Sequence, residues 1–317
     1  MRELADTARQ WAAQGRAAVL ARPLTERGFG PRHPADAILI DADGQCHGSL
    51  YRGAFDRQLV GEAASLLPGH AARVVAVAVH EDGVKEAGLT CGGQAEVLLQ
   101  PLPAVPGRWW ELLGAGADVA LVTWLDERRT HAVSAVVTRD GQADGPDVPP
   151  QAAECARELL ARHRAGREVH ATDAGLCLVE TCPAVPHLVV VGGGELAELL
   201  VAQAGLLGWQ ATVTSAAQDA GKLLAERPAA ACLIMLSHEP DVDVPALHTA
   251  LTSGIAYVGA LGSRHTQTRR ASGLVEAGLD DEHLGRIHGP IGLDIGARTP
   301  AETAMAICAE VLAALDR

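Results

Sequence analysis

The stretch Leu188-Val189-Val190-Val191-Gly192-Gly193-Gly194-Glu195-Leu196-Ala197 is a short apolar run, then a glycine turn, then the start of an amphipathic segment. It has the form G-x-G-x-x-A between a strand and a helix. In that setting Gly192 permits a tight turn and Gly194 lets a pyrophosphate approach the backbone. Ala197 lets the helix pack closely on the strand, and ligand phosphates meet the helix N-terminus. The same glycines also serve a βα turn that holds no ligand. Further along, Trp209–Ser215, Ala231–Leu236 and Ile255–Ser263 read as strands, each separated from the next by a helical or glycine-marked segment. Alternation of this kind predicts a parallel, doubly wound sheet, an α/β Rossmann-like domain over residues 187–317. Its last helix is expected over Pro300–Leu315, with Thr299 as N-cap, Pro300 in the first position and Glu302 in the first turn.

Upstream, Pro183-Ala184-Val185-Pro186 makes a stiff joint and marks a domain boundary. Residues 1–183 read as a separate α+β domain. Leu4, Ala8 and Trp11 have helical spacing. Residues 37–50 read as a hairpin turning at Asp43-Gly44, and 54–67 as a helix. Strands follow at 73–80 and 95–102, a short helix around Trp109-Trp110, and a second hairpin about Glu127-Arg128-Arg129. A loop is expected at 140–150, a helix at 152–164 and a closing strand at 175–182. No internal repeat is visible.

Bulk properties narrow the function classes. The 317 residues are 48% hydrophobic and 21% charged, which supports ordinary globular cores. Aromatics make up only 3% and the net charge is −13, so base-stacking platforms are scarce and phosphate backbones are repelled. No nucleic-acid partner is expected. The opening Met1–Arg16 is charged throughout and lacks the apolar core of a signal peptide, and no apolar run reaches the ~20 residues of a membrane span. A cytoplasmic protein without a membrane partner is the expectation. The seven cysteines form no C-x-x-C pair, which gives no support to a zinc ribbon or thioredoxin motif.

Beyond Gly192 and Gly194, three constellations lie at or after expected strand ends, where open α/β sheets bind ligands. The first is Ser237-His238-Glu239-Pro240-Asp241-Val242-Asp243. There His238, with Asp241 and Asp243, could shuttle protons, coordinate a metal or hold a ligand amide, or simply cap the following helix. The second is Gly259 to Arg264. Gly262 and Ser263 could form an anion nest with the Arg264 charge beside it, or the glycines could only allow a tight exit. The third is Gly289 to Gly296, a rigid loop containing Gly292 with Asp294 as its single charge; it shapes a ligand site or is a structural loop. In the first half, Cys91-Gly92-Gly93 offers a thiol in a glycine-rich turn for sulfur or metal contact, or an inert cysteine. No G-x-S-x-G, H-E-x-x-H or Walker lysine loop occurs, and no catalytic residue is assigned. A nicotinamide dinucleotide site normally has an acid at the end of its second strand. Ser215 stands there and Asp219 comes a turn late, which disfavours an NAD(P)-dependent oxidoreductase, the alternative reading.

Taken in order, these motifs resemble the xanthine dehydrogenase accessory factor family, XdhC/CoxI. The resemblance rests on Gly192–Ala197, on His238 with Asp243, on Tyr257-Val258-Gly259-Ala260-Leu261-Gly262-Ser263-Arg264, and on Pro290–Gly296 followed by Thr299-Pro300-Ala301-Glu302. In the first half it continues more faintly through Asp43-Gly44, Gly48-Ser49, Cys91-Gly92-Gly93 and Glu180. The chain departs from the family where G-G-C-x-E is usual: Ala54 replaces the cysteine and Asp56 the acid. Glu195 replaces the histidine of the glycine turn. The resemblance implies a non-catalytic chaperone that binds the molybdenum cofactor (molybdopterin) transiently and delivers it to a molybdenum hydroxylase apoenzyme. It also implies a cysteine desulfurase partner and a homodimer.

Overall fold

The computed structural model describes residues 1–29, 36–67, 71–79, 92–163, 165–173 and 175–315. The chain divides into two compact units, Met1–Pro183 and Ala184–Arg317.

The first unit is built on two antiparallel five-stranded sheets. One contains β1 (Ala18–Gly28), β2 (Ile38–Asp41), β3 (Cys46–Gly48), β4 (Arg73–Val79) and β5 (Gly93–Pro101), in the order β3-β2-β1-β5-β4. The other contains β6 (Val119–Asp126), β7 (Ala132–Thr138), β8 (Ala143–Asp144), β9 (Gly166–Thr172) and β10 (Gly175–Cys182), in the order β8-β7-β6-β10-β9. The two orders are the same pattern shifted by five strands, so the topology repeats although no repeat is visible in the residues. Each half also inserts one helix between its third and fourth strands, α2 (Asp56–Leu66) in the first and α4 (Pro150–Ala161) in the second. Burial explains why the repeat persists without matching sequence. Leu59, Ala63 and Leu66 of α2 pack on Val19, Ala21 and Ile40, and Ala152, Ala156 and Leu160 of α4 pack on Ala120, Val122 and Val179. On the opposite faces Leu20 and Leu39 share a core with Leu121 and Val136, which gives helix, sheet, sheet and helix layers. Helices α1 (Ala5–Ala13) and α3 (Gly107–Gly114) join that inner core through Leu4, Ala8, Trp109 and Trp110. The expected hairpin turn forms: Gly44 has φ +76°, and the Asp41 carboxylate accepts from the N–H groups of Asp43 (3.0 Å) and Gln45 (2.7 Å).

The second unit is a parallel sheet of β11 (His187–Val191), β12 (Gln210–Thr214), β13 (Ala231–Met235), β14 (Tyr257–Ala260) and β15 (Ile287–His288), ordered β12-β11-β13-β14-β15. Every residue of β11, β13 and β14 is buried, as continuous apolar strands covered on both faces require. Helices α6 (Ala217–Glu226), α7 (Pro240–Thr252) and α8 (Arg264–Glu276) cover one face through Leu224, Leu247 and Leu274. Helices α5 (Glu195–Leu206) and α10 (Pro300–Leu315) cover the other through Leu200 and Ile307, and the short α9 (Asp281–Leu284) precedes β15. At the start of α10, Glu302 accepts from the N–H groups of Arg298 and Thr299 while Thr299 Oγ1 accepts from Glu302 N, a complete capping box. The strand order reverses between β11 and β13, and it is there that ligands of such sheets bind. No helix among the described residues is long and apolar enough to cross a membrane.

Candidate functional site

The exit of β11 is forced to be glycine. Gly192 has φ +119°, and a Cβ on it would stand 2.8 Å from Ser237 N, just beyond β13. Two loops at the switch point therefore touch backbone to backbone, and any side chain at 192 would part them. Gly194 is different. It is the N-cap of α5, with φ +89°, and a Cβ there would meet nothing within 4 Å. Its side of the turn is open, and α5 begins with no side-chain cap. The first turn of α5 carries Glu195 and Glu198, so carboxylates already lie at this positive helix end.

The next two strand exits are held by one buried guanidinium. Arg270, on α8, donates through Nε to Asp243 Oδ2 at 2.7 Å, through one terminal nitrogen to Leu261 O at 2.7 Å and through the other to Ser237 O at 2.5 Å. Its planar fork spans the loops after β13 and β14 and the first turn of α7, a task a lysine cannot perform. Asp243 is only 1% exposed, and its Oδ1 has no hydrogen-bond partner. The Asp243 side chain turns inward to meet Arg270 beneath the loops, while His238 and Asp241, grouped with it in the sequence, are exposed. No role could be assigned to Arg270 from the sequence, because Asp243 and Ser237, which it holds, lie 27 and 33 residues away. His238 and Asp241 are exposed at the mouth, and Arg269 donates to His238 O at 2.9 Å, fixing the backbone there. Ser263 caps α8 by accepting from Thr266 N, with Gly262 at φ +152° before it and Arg264 exposed after it.

The loop from Gly289 to Gly296 starts from the same edge. Ile291 N donates to Ala260 O at 3.3 Å, and Gly259 must lack a side chain because a Cβ would lie 2.5 Å from the Ile291 side chain. The loop then follows α10: Gly292 N donates to Glu310 at 2.7 Å and Leu293 N to Ala306 O. Glu310 also accepts from Tyr257 at 2.5 Å and stands 3.2 Å from His288 Nδ1. Burial pushes its pKa up, but the bonds from Tyr257, Gly292 and His288 outweigh that and hold it below the usual carboxylate range. Glu310 was not legible as a site-shaping residue, since it lies midway along an apolar helix. Asp294 is exposed on the far part of the loop, beyond the stretch tied to Ala260. The structure thus brings Gly192, Gly194, His238, Asp241, Gly262, Ser263, Arg264 and the start of the 289–296 loop to one edge of the sheet. Ser215 is exposed after β12, and Asp219 is engaged with Lys222 at 3.0 Å.

In the first unit, Cys91 lies outside the described residues. Ala54 follows a turn in which Tyr51, Arg52 and Gly53 have φ of 52°, 56° and 82°, so two non-glycine residues are held in the left-handed region. Asp56 opens α2, and burial raises its pKa. Cys46 is the exposed thiol among the described residues; burial and then the nearby Asp56 and Asp41 charges push its pKa up, which disfavours the thiolate. Glu180 is buried and pairs with Arg22, which also donates to Gln100 and to Thr123. A groove of about 470 Å³ crosses the first sheet over Thr25, Ala76 and Gln94, and none of the residues singled out in the sequence lines it.

A parallel sheet covered on both faces, with a glycine turn at its switch point, defines a Rossmann-like domain. Residues 188–311 match the XdhC Rossmann domain, and residues 11–95 match the XdhC and CoxI family. The chain belongs to the XdhC/CoxI family. Among curated proteins it is 30% identical over 145 residues to the uncharacterized protein YqeB of Escherichia coli, covering 40% of this chain and 27% of that one. It is 35% identical over 79 residues to the molybdenum cofactor insertion chaperone PaoD of Escherichia coli, covering 25% of each. The matched stretches therefore span about a quarter of either relative. A crystal structure described as a xanthine dehydrogenase from Bacillus halodurans shares the fold, with a TM-score of 0.64, 20% identity, and coverage of 98% of this chain and 95% of that one.

Proposed function

We propose that this protein binds the molybdenum cofactor as cargo and passes it to a molybdenum hydroxylase of the xanthine dehydrogenase or CO dehydrogenase type. Family membership and the stretch shared with PaoD support a maturation role. The observation that carries the proposal to a particular surface is the unobstructed left-handed Gly194 beside the switch point, with Arg264 exposed on the same edge. A pterin is flat and its phosphate is anionic. On this reading the ring lies against the Gly192–Gly194 backbone, and Arg264 with the Gly262–Ser263 backbone takes the phosphate. His238 and Asp241 meet the polar edge. Arg270 and Asp243 hold the loops and do not touch cargo. A cytoplasmic homodimer that works with a cysteine desulfurase completes the proposal.

The test is a fluorescence titration of the purified chain with molybdopterin. Saturable binding by the wild type, lost in Gly194→Trp while circular dichroism shows that the variant, strained by its positive φ, is still folded, is the expected result. Equal binding by both refutes the crevice. A calorimetric titration with NAD(P) runs beside it, and micromolar binding there would favour an oxidoreductase instead.

A further inference from the structure

Away from the crevice, α4 and β9 bring together three side chains of different donor type in the first unit. Cys155 lies on α4, and Glu168 and His170 stand two residues apart on β9, hence on one face of that strand. Cys155 Sγ donates to Glu168 Oε2 at 3.4 Å, and His170 Nε2 is 3.6 Å from the same oxygen. All three ligand atoms lie within 4.8 Å of one another. Around a tetrahedral zinc ion, with bonds of about 2.0–2.3 Å, neighbouring ligand atoms are about 3.4–3.6 Å apart. Two of the three edges already have that length. Closing the third takes only side-chain rotation, since Glu168 and His170 are exposed.

We propose that Cys155, Glu168 and His170 form a binding site for a zinc-class divalent cation, with a fourth position open to solvent. A sulfur, a nitrogen and an oxygen donor suit a borderline-soft ion and not magnesium or calcium, which take oxygen ligands. On binding, the Cys155 thiol gives its proton to the buffer and its sulfur to the metal; nothing is oxidised or reduced. The site shares no residue with the crevice and stands or falls independently of the cargo proposal.

Cobalt(II) is the probe, added to the untagged, chelator-treated full chain. The expected result is one equivalent bound, a thiolate-to-cobalt charge-transfer band, displacement by zinc and release of a proton. Cys155→Ser abolishes the band. His170→Ala and Glu168→Gln, both at exposed positions that leave the circular dichroism intact, weaken binding by more than the about 10–100-fold that losing an outer partner costs. Cys46→Ser, which removes the exposed thiol among the described residues, changes nothing. No band at millimolar cobalt overturns the proposal. So does a band that survives Cys155→Ser, one that disappears with Cys46→Ser, or one indifferent to both exposed variants.

Discussion

Two helices of the second unit begin at the same edge of the sheet, and they begin differently. Helix α5 enters through Gly194, which has no side chain, and carries Glu195 and Glu198 in its first turn. Helix α8 enters through Ser263, whose hydroxyl already satisfies Thr266 N, and carries Arg264 at its first position and Arg270 two turns in. One entrance has free space and unfavourable charge; the other has favourable charge and a cap of its own. A helix N-terminus attracts anions through its unpaired N–H groups, and first-turn carboxylates offset that attraction. On the proposed function, the glycine turn is therefore the place for a flat, uncharged surface, and Arg264 the place for the anionic end of the cargo. A glycine motif read alone would have put the phosphate at α5.

The strongest way to break this comparison is to remove what holds the two entrances in register. Arg270→Met leaves Asp243 charged, buried and unpaired, and frees the carbonyls of Ser237 and Leu261. The expected loss is about 3–5 kcal/mol of stability in urea unfolding, with cargo binding weakened in whatever stays folded. Arg270→Lys keeps the charge but loses the three-way fork and should fall between. A cost below about 1 kcal/mol for Arg270→Met would show that the loops stand without the clamp.

Arg264→Ala probes the second entrance directly. Its side chain is exposed, so stability should move by no more than about 0.5 kcal/mol. Affinity for a phosphate-bearing pterin should fall by an order of magnitude or more, since a charge-assisted hydrogen bond contributes about 1.5–3 kcal/mol. The loss should shrink at high salt. Unchanged affinity would move the anion away from α8.

How far the sequence reached depended on whether a residue's role is local. Strands β11, β13 and β14 were legible because each is a continuous apolar run between glycine or proline signals, and so was the α10 cap, whose residues are three apart. The edge strand β9 was not. Gly166–Thr172 is polar and mostly exposed, and its pairing with β10 is set by the partner strand rather than by its own pattern. The clamp was illegible for a different reason. Asp243 and Arg270 are 27 residues apart, and only the fold turns both inward. Asp243 stands two residues from the exposed Asp241, and nothing in the local spacing tells the buried acid from the exposed one. The repeated strand order of the first unit was hidden because only burial, and not residue identity, is kept between its halves.

The Gly289–Gly296 loop belongs to neither entrance, so its anchor sharpens the contrast through acid stability. The Glu310 carboxylate is held below its ordinary range, so its hydrogen bonds favour the ionised form. That contribution is complete above the unfolded carboxyl pKa of about 4.3 and is lost as pH falls through the lower folded value. Glu310→Gln should cost about 1 kcal/mol at neutral pH and flatten the loss of stability on acidification below about pH 4.5. Urea midpoints measured from pH 3 to 7 check this. An acid limb identical to wild type would mean that the loop does not depend on this residue.

The smallest effect separates the two entrances most cleanly, because it is a gain. Glu195 lies at the first helical position of α5, exposed, where its charge opposes an approaching anion. Glu195→Gln removes that opposition and leaves the shape of the turn alone. A helix-terminal charge contributes about 0.3–1 kcal/mol, so affinity for an anionic pterin should rise about two- to fivefold. The gain should vanish at high ionic strength. An uncharged pterin without phosphate should gain nothing if only the flat ring meets this turn. If both ligands gain equally, the ring and not the phosphate responds to the position. If the phosphate-bearing ligand gains far more than fivefold, the anion sits at α5 after all and the roles of the two helices are exchanged.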